Sequence, residues 1–259
     1  MIQVEGIFSV GGGSDISAPI IGKDFNWTGG DGTYQVRDDG DGNWRIKFLS
    51  SGTFTPLKDM VIDAFLVGGG GGTPIMPTGG WSSGAGGGYT RTDRGISLTA
   101  NAEYPIIVGA GGVGTSGGDT SAFGNVASGG KNGNSSRNKV QPGGNGGSGG
   151  GQMNDDTAYD GGSDGSDGGK STLASGGIGQ GTTTREFEEV EEGGALYAGG
   201  GGAYRSSSKF GKGGLGGGAD GGTSALDNTG GGAGGATKNA DTSGGSGIVV
   251  IRKHKEAAA

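Results

Sequence analysis

Val61-Ile62-Asp63-Ala64-Phe65-Leu66-Val67-Gly68-Gly69-Gly70-Gly71-Gly72 joins the strongest strand candidate of this 259-residue chain to five consecutive glycines. The first seven residues are branched, aromatic or aliphatic around one carboxylate, and such a short apolar run reads as a strand. The glycines have no side chain to bury. With 71 glycines in all, most of them after residue 67, the chain is through these segments either disordered or held together by backbone hydrogen bonds. The same junction recurs where Tyr104-Pro105-Ile106-Ile107-Val108 meets the glycines from 109 onward. It recurs in reverse where Gly247 leads into Ile248-Val249-Val250-Ile251-Arg252. A buried-looking strand at 248–252, after the glycine-rich stretch 127–247, requires the intervening chain to return to the sheet. That requirement argues for order.

The conformation able to order glycine runs is polyproline II, a left-handed helix of three residues per turn whose backbone groups point outward. Without side chains, several such helices can pack at backbone distance and bond N–H to C=O between neighbours, as buried amides require. Glycine runs here alternate with polar inserts at 131–141, 153–160, 182–192 and 225–229, as expected for helices joined by turns. Collagen is excluded, because runs such as Gly199-Gly200-Gly201-Gly202 break its every-third-residue frame. Ordering the backbone costs roughly 1–2 kcal/mol per residue. A large bundle anchored on a β base is therefore expected, and an isolated short one is not.

The first part of the chain is punctuated as β structure, with essentially no helical period. Trp44-Arg45-Ile46-Lys47-Phe48 alternates strictly, which places aromatic and aliphatic side chains on one sheet face and basic ones on the other. Asp38 to Asn43 reads as a turn, and Ile96-Ser97-Leu98 as a further strand. Four regions are expected: a β-rich attachment segment at 1–43, a β base with the first glycine helices at 44–126, a glycine-helix bundle at 127–252 closed by the strand 248–252, and a tail at 253–259. Arg252, Lys253, His254 and Lys255 read as a solvated basic end.

The net charge of −7 argues against a nucleic-acid partner, which needs a basic surface. No stretch is long and apolar enough for membrane insertion. Met1 to Val10 lacks the cationic start and apolar run of a secretion signal, so release by host lysis is the expected route outward. The chain has no cysteine and a single histidine, and catalytic, cofactor and metal sites are all expected to be absent. Gly109-Ala110-Gly111-Gly112-Val113-Gly114 spells a dinucleotide fingerprint, but no helix follows it. Gly168-Gly169-Lys170-Ser171 places Asp164 where a phosphate loop needs glycine. The acidic insert 186–192 reads as a solvated loop. The aromatics Trp81, Tyr159, Phe187, Tyr197, Tyr204 and Phe210 stand in or beside inserts, either capping the bundle or forming adaptable binding surface.

Phe48-Leu49-Ser50-Ser51-Gly52-Thr53-Phe54-Thr55-Pro56, Gly86-Gly87-Gly88-Tyr89-Thr90-Arg91-Thr92 and Gly244-Gly245-Ser246-Gly247-Ile248-Val249-Val250-Ile251-Arg252 follow the strand–glycine junction in a fixed order. In this order the chain resembles, over residues 44–252, the glycine-rich domain proteins common in phages and prophages. The resemblance implies a β-sandwich-like base carrying a bundle of polyglycine-II helices, similar to the adhesins at phage long-tail-fibre tips. It implies host contact through the loops 73–81, 131–141, 153–160, 182–192, 204–210 and 225–228. Trp81, Arg137, Met153, Tyr159, Phe187, Tyr204 and Phe210 are then the candidate contact residues. The expected partners are a bacterial surface protein or glycan and other virion or tail-fibre subunits, with the chain itself a homo-oligomer or bound to a trimeric fibre at the virion surface. A structural decoration or assembly protein of the virion is the alternative. Ice binding is a third reading, and it lacks a sustained row of small side chains at three-residue spacing.

Overall fold

Strands from the first 127 residues and the last strand of the chain form two antiparallel five-stranded sheets in a computed structural model that describes residues 18–167, 184–189 and 194–254. The strands are, in chain order, β1 (Phe25–Trp27), β2 (Tyr34–Gly40), β3 (Asn43–Phe48), β4 (Gly52–Pro56), β5 (Met60–Val67), β6 (Trp81–Ser82), β7 (Thr90–Leu98), β8 (Tyr104–Ile107), β9 (Thr120–Ala122), β10 (Asn125–Ala127), β11 (Ser135–Ser136), β12 (Val140–Gln141), β13 (Met153–Asn154), β14 (Thr157–Ala158), β15 (Tyr204–Ser206), β16 (Lys209–Phe210) and β17 (Ile248–Lys253). One large sheet has the order β1-β4-β8-β9-β10, the other β2-β3-β17-β5-β7. They face each other across a core of Phe25, Trp27, Phe54 and Ile106 from the first and Ile46, Phe48, Ile62, Leu66, Val249 and Ile251 from the second. The base is therefore a β-sandwich. Its centre is aromatic, with Trp27 and Phe48 rings 4.7 Å apart and Phe48 and Phe54 5.5 Å apart. Each such buried side chain contributes about 1.5–3 kcal/mol relative to exposure.

The expected boundary at residue 43 falls between β2 and β3, which pair with each other, so β1 and β2 belong to the sandwich. Residues 1–17 of the supposed attachment segment, the 168–171 motif and residues 255–259 of the tail lie outside the described residues. Arg252 lies in the expected strand but is buried rather than solvated, and Lys253, which is exposed, extends that strand by one residue.

β5 and β17 read as continuous apolar runs because both faces of their sheet are covered. Ile62, Ala64 and Leu66 enter the sandwich, while Phe65, Val67, Ile248 and Val250 pack on the outer face with Phe187 and Tyr197. β5, β8 and β10 leave the sandwich directly into glycine segments, and β7, β9 and β17 are entered from them. The bundle thus stands on one end of the sandwich.

Its bonding has a period of three. In the segment 68–73, the N–H groups of Gly68 and Gly71 donate to the carbonyls of Tyr89 and Gly86. Those of Gly69 and Gly72 donate to Gly118 and Thr115, and those of Gly70 and Thr73 to Gly245 and Thr242. Each pair is three residues apart, each reaches a different neighbour, and every neighbour runs antiparallel. The carbonyls of the same segment accept from Gly112, Gly130, Gly133 and Ala233, on further segments. This is a threefold helix with all bonds between helices, the polyglycine-II arrangement. Close approach is what demands glycine: a Cβ on Gly70 would meet the Gly231 carbonyl oxygen at 1.9 Å, and one on Gly201 the Ala233 oxygen at 1.8 Å. Among the described residues the one helical turn is a 3-10 turn at Glu186–Glu188.

Candidate functional site

The segment 68–73 starts at the sandwich end of β5, so the loop that follows it emerges at the far end of the bundle. There the loops 73–81, 131–141, 153–160 and 204–210 meet in two small sheets. Ser82 pairs with Ser135 on one side and Tyr204 on the other, and Tyr204 pairs with Phe210. Val140 pairs with Asn154, and Asn154 with Thr157 across a two-residue turn. That turn is Asp155-Asp156, with φ of 39° and 70°, and short acidic side chains suit such a left-handed hairpin turn.

Asp156 organises the surface. Its Oδ1 accepts from the Trp81 indole Nε1 and from Arg205 Nε, each at 3.3 Å, and its Oδ2 lies 3.7 Å from Lys209 Nζ. The hydrogen bond from Arg205 is the main reason that the Asp156 pKa is lowered, with the Lys209 charge and the Trp81 N–H adding to it. The Arg205 guanidinium lies 4.4 Å over the Trp81 ring and donates to the Gly80 carbonyl at 3.0 Å. Trp81 is thereby held at its indole N–H edge by Asp156 and over its ring by Arg205. Tyr204 packs on Gly222, where a Cβ would stand 3.0 Å from its ring. Phe210 is exposed, with Lys212 Nζ 4.9 Å from its ring centroid. Arg137 is exposed in the turn between β11 and β12, and Tyr159 is half-buried beside Ala203, whose N–H donates to its carbonyl. The surface offers aromatic faces and fixed cations held on backbone-bonded supports.

Two candidate contact residues are not part of the exposed surface. Met153 belongs to β13 at this end but is fully buried, so it supports the hairpin from beneath and presents nothing to a partner. Phe187 is at the other end, buried on the outer face of the second sheet with its ring centroid 6.0 Å from that of Phe65. For 186–189 the reading as a solvated loop is corrected with it. Glu186 is 1% exposed, its carboxylate 2.5 Å from Arg45 Nη1 and 3.1 Å from Lys47 Nζ. Glu189 lies 2.5 Å from Arg252 Nη1, and the Arg252 guanidinium covers the Phe187 ring at 4.1 Å. Residues 184–189 form a docked strap, and 182–183 and 190–192 lie outside the described residues. The 225–228 insert runs along the flank of the bundle, where Ala225 N–H donates to Ser243 and Asn228 N–H to Ser246 Oγ.

The strap answers an electrostatic problem built into the sheet. Register places Arg37, Arg45 and Arg252 side by side across β2, β3 and β17, followed by Asp63 on β5. Like charges directly opposite one another destabilise a sheet, and Glu186, Glu189, Asp39 and Asp63 supply the counter-charges. The sequence displayed the alternation in β3 but not that its basic face would meet the basic face of β17. Arg205, Lys209 and Asp156 were likewise not singled out as contacts, although the Asp155-Asp156 pair is a readable turn signal. No cluster of His, Asp and Glu suited to a metal ion occurs among the described residues.

No curated protein matches the chain. Residues 49–254, which span the sandwich from the end of β3 onward and the whole described bundle, match the glycine-rich domain family, and the chain belongs to that family.

Proposed function

We propose that this protein is a non-enzymatic virion surface protein, a tail-fibre tip or comparable adhesin that presents host-binding loops from a polyglycine-II scaffold. The observation carrying this reading is the convergence of the loops 73–81, 131–141, 153–160 and 204–210 at the end of the bundle remote from the sandwich. Most of their flanking backbone is bonded into the lattice, so little ordering remains to be paid on binding, which favours affinity through preorganisation. Aromatic side chains beside small polar residues suit contact with a bacterial surface protein or glycan. Repetition in an oligomer, or on a trimeric fibre, adds avidity.

The test is binding of fluorescently labelled protein to a panel of bacterial cells, with Trp81→Ala and Phe210→Ala compared at matched melting temperature. Saturable binding to some strains, weakened by at least about tenfold in the Trp81 variant, is the expected result. Binding to no strain, or binding indifferent to both substitutions, refutes the reading and favours a decoration or assembly role.

A further inference from the structure

We propose that the end of the sandwich remote from the loops is a docking groove for an extended acidic peptide segment of a partner protein. β5 begins and β17 ends there, and two clefts adjoin, sharing Trp44 and Lys253 as a common wall. The first cleft, about 320 Å³, opens between the sheets and takes Lys23 and Lys58 into its lining. The second continues onto the outer face of the sheet along Arg37.

Charge selects the occupant. The chain is acidic overall, at −7, yet the carboxylates of these clefts are already engaged internally. Asp24 accepts from Lys58 and from the Ile20 N–H, Asp39 pairs with Arg45 and Arg37, and Asp59 accepts from the Ala100 N–H. The cations remain outward. Arg37 and Lys58 are paired with Asp39 and Asp24 while their side chains stay 70% and 67% exposed, and Lys23 and Lys253 are exposed and form no ion pair among the described residues. Basic groups left facing solvent beside an aromatic wall, in an acidic protein, match an acidic partner.

The molecule supplies the precedent for a peptide. On the adjoining part of the same sheet face, the strap 184–189 lies with Glu186 on Arg45 and Lys47, Glu189 on Arg252 and Phe187 as an apolar anchor. The groove continues that arginine row outward through Arg37, so the chemistry that holds the strap extends past its described residues 184–189. Recognition of acidic segments by clustered cations follows the same physics. This inference does not depend on what the loops at the other end bind.

The probe is a fluorescein-labelled peptide copying residues 186–192, titrated into the full chain and read by fluorescence anisotropy. Controls are the same peptide with Gln for Glu, a sulfated oligosaccharide as competitor, and the double variant Lys58→Glu/Lys253→Glu, checked for an unchanged melting temperature. Lys23→Glu/Arg37→Glu serves if the first variant unfolds. The acidic peptide is expected to bind, roughly tenfold or more weakly in the variant and at high salt, while the Gln peptide fails to bind. Three outcomes overturn the proposal. Binding unaffected by the charge reversals places the peptide on the strap site, equal binding of the sulfated sugar makes the groove a glycan site, and absence of binding leaves no acidic-peptide site.

Discussion

Asp63 is fully buried at an irregularity in the β5–β7 pairing, where three donors converge on its carboxylate. Arg252 Nε lies 3.0 Å from one oxygen, and the Gly95 N–H and His254 Nδ1 reach the other at 3.1 and 2.6 Å. A carboxylate only accepts, so the histidine carries its proton on Nδ1. Burial pushes the Asp63 pKa up, but the hydrogen bonds from His254, Gly95 and Arg252 outweigh it and hold the group below its ordinary value. A depressed folded-state pKa stabilises the protein at pH values above the unfolded value. That contribution is lost as pH falls below about 4 through the folded value. Asp63→Asn is expected to cost about 3 kcal/mol at pH 7, because Arg252 loses a buried partner. Urea unfolding as a function of pH checks it: the gap between wild type and variant should close below about pH 4. A gap constant with pH would show that the charge is not the cause. Nothing in the sequence marks Asp63, since one carboxylate in an apolar strand has no visible partner until β17 lies beside β5.

The strap is the element whose role the sequence conceals. Glu186-Phe187-Glu188-Glu189 has the composition of a solvated loop, and it packs because Arg45, Lys47 and Arg252 await its carboxylates and Phe65 awaits its ring. Phe187 adopts φ of 56°, a left-handed conformation that an aromatic residue takes only under packing constraint. Tyr197 closes the site: its hydroxyl donates to Glu186 Oε2 at 3.1 Å and accepts from Lys47 Nζ at 2.8 Å. Burial, then the Glu186 charge, raises the Tyr197 pKa, so the hydroxyl keeps its proton and the donor role. Phe187→Ala is expected to destabilise by about 3 kcal/mol and to release the strap. Proteolytic cleavage within 182–193 should rise well before the sandwich unfolds. Cleavage at the wild-type rate would show that the ion pairs alone hold the segment.

At the scale of the molecule, stability depends on a lattice bonded through its backbone. Gly70 donates to Gly245, accepts from Gly112, and lies against Gly231 with no room for a methyl group. Gly70→Ala therefore has to separate helices, and a loss above about 4 kcal/mol is expected, enough to unfold the bundle. Gly79, in a turn with φ of 72° and open space around its Cα, provides the contrast. Gly79→Ala is expected to cost only about 1–2 kcal/mol of backbone strain. Thermal melts of the two variants check both figures, and similar losses would refute the lattice as the source of stability. The same rigidity holds the loops 73–81 and 204–210 beside each other, although they are far apart in sequence.

By itself the sequence determined the local elements. Alternation in 44–48, the apolar runs 61–67 and 248–252, and the glycine blocks between polar inserts each follow from side-chain size and period, which are properties of neighbouring residues. Which inserts share an end, and which are buried, was decided only by the tertiary structure. Glycine helices carry no side-chain code for their neighbours, because their bonds are between identical backbone groups. Their order therefore came from where the strands of the sandwich deliver them. Trp81, Tyr204 and Phe210 gathered at one tip for that reason: the placement of their inserts is inherited from the lattice position of the helices they join.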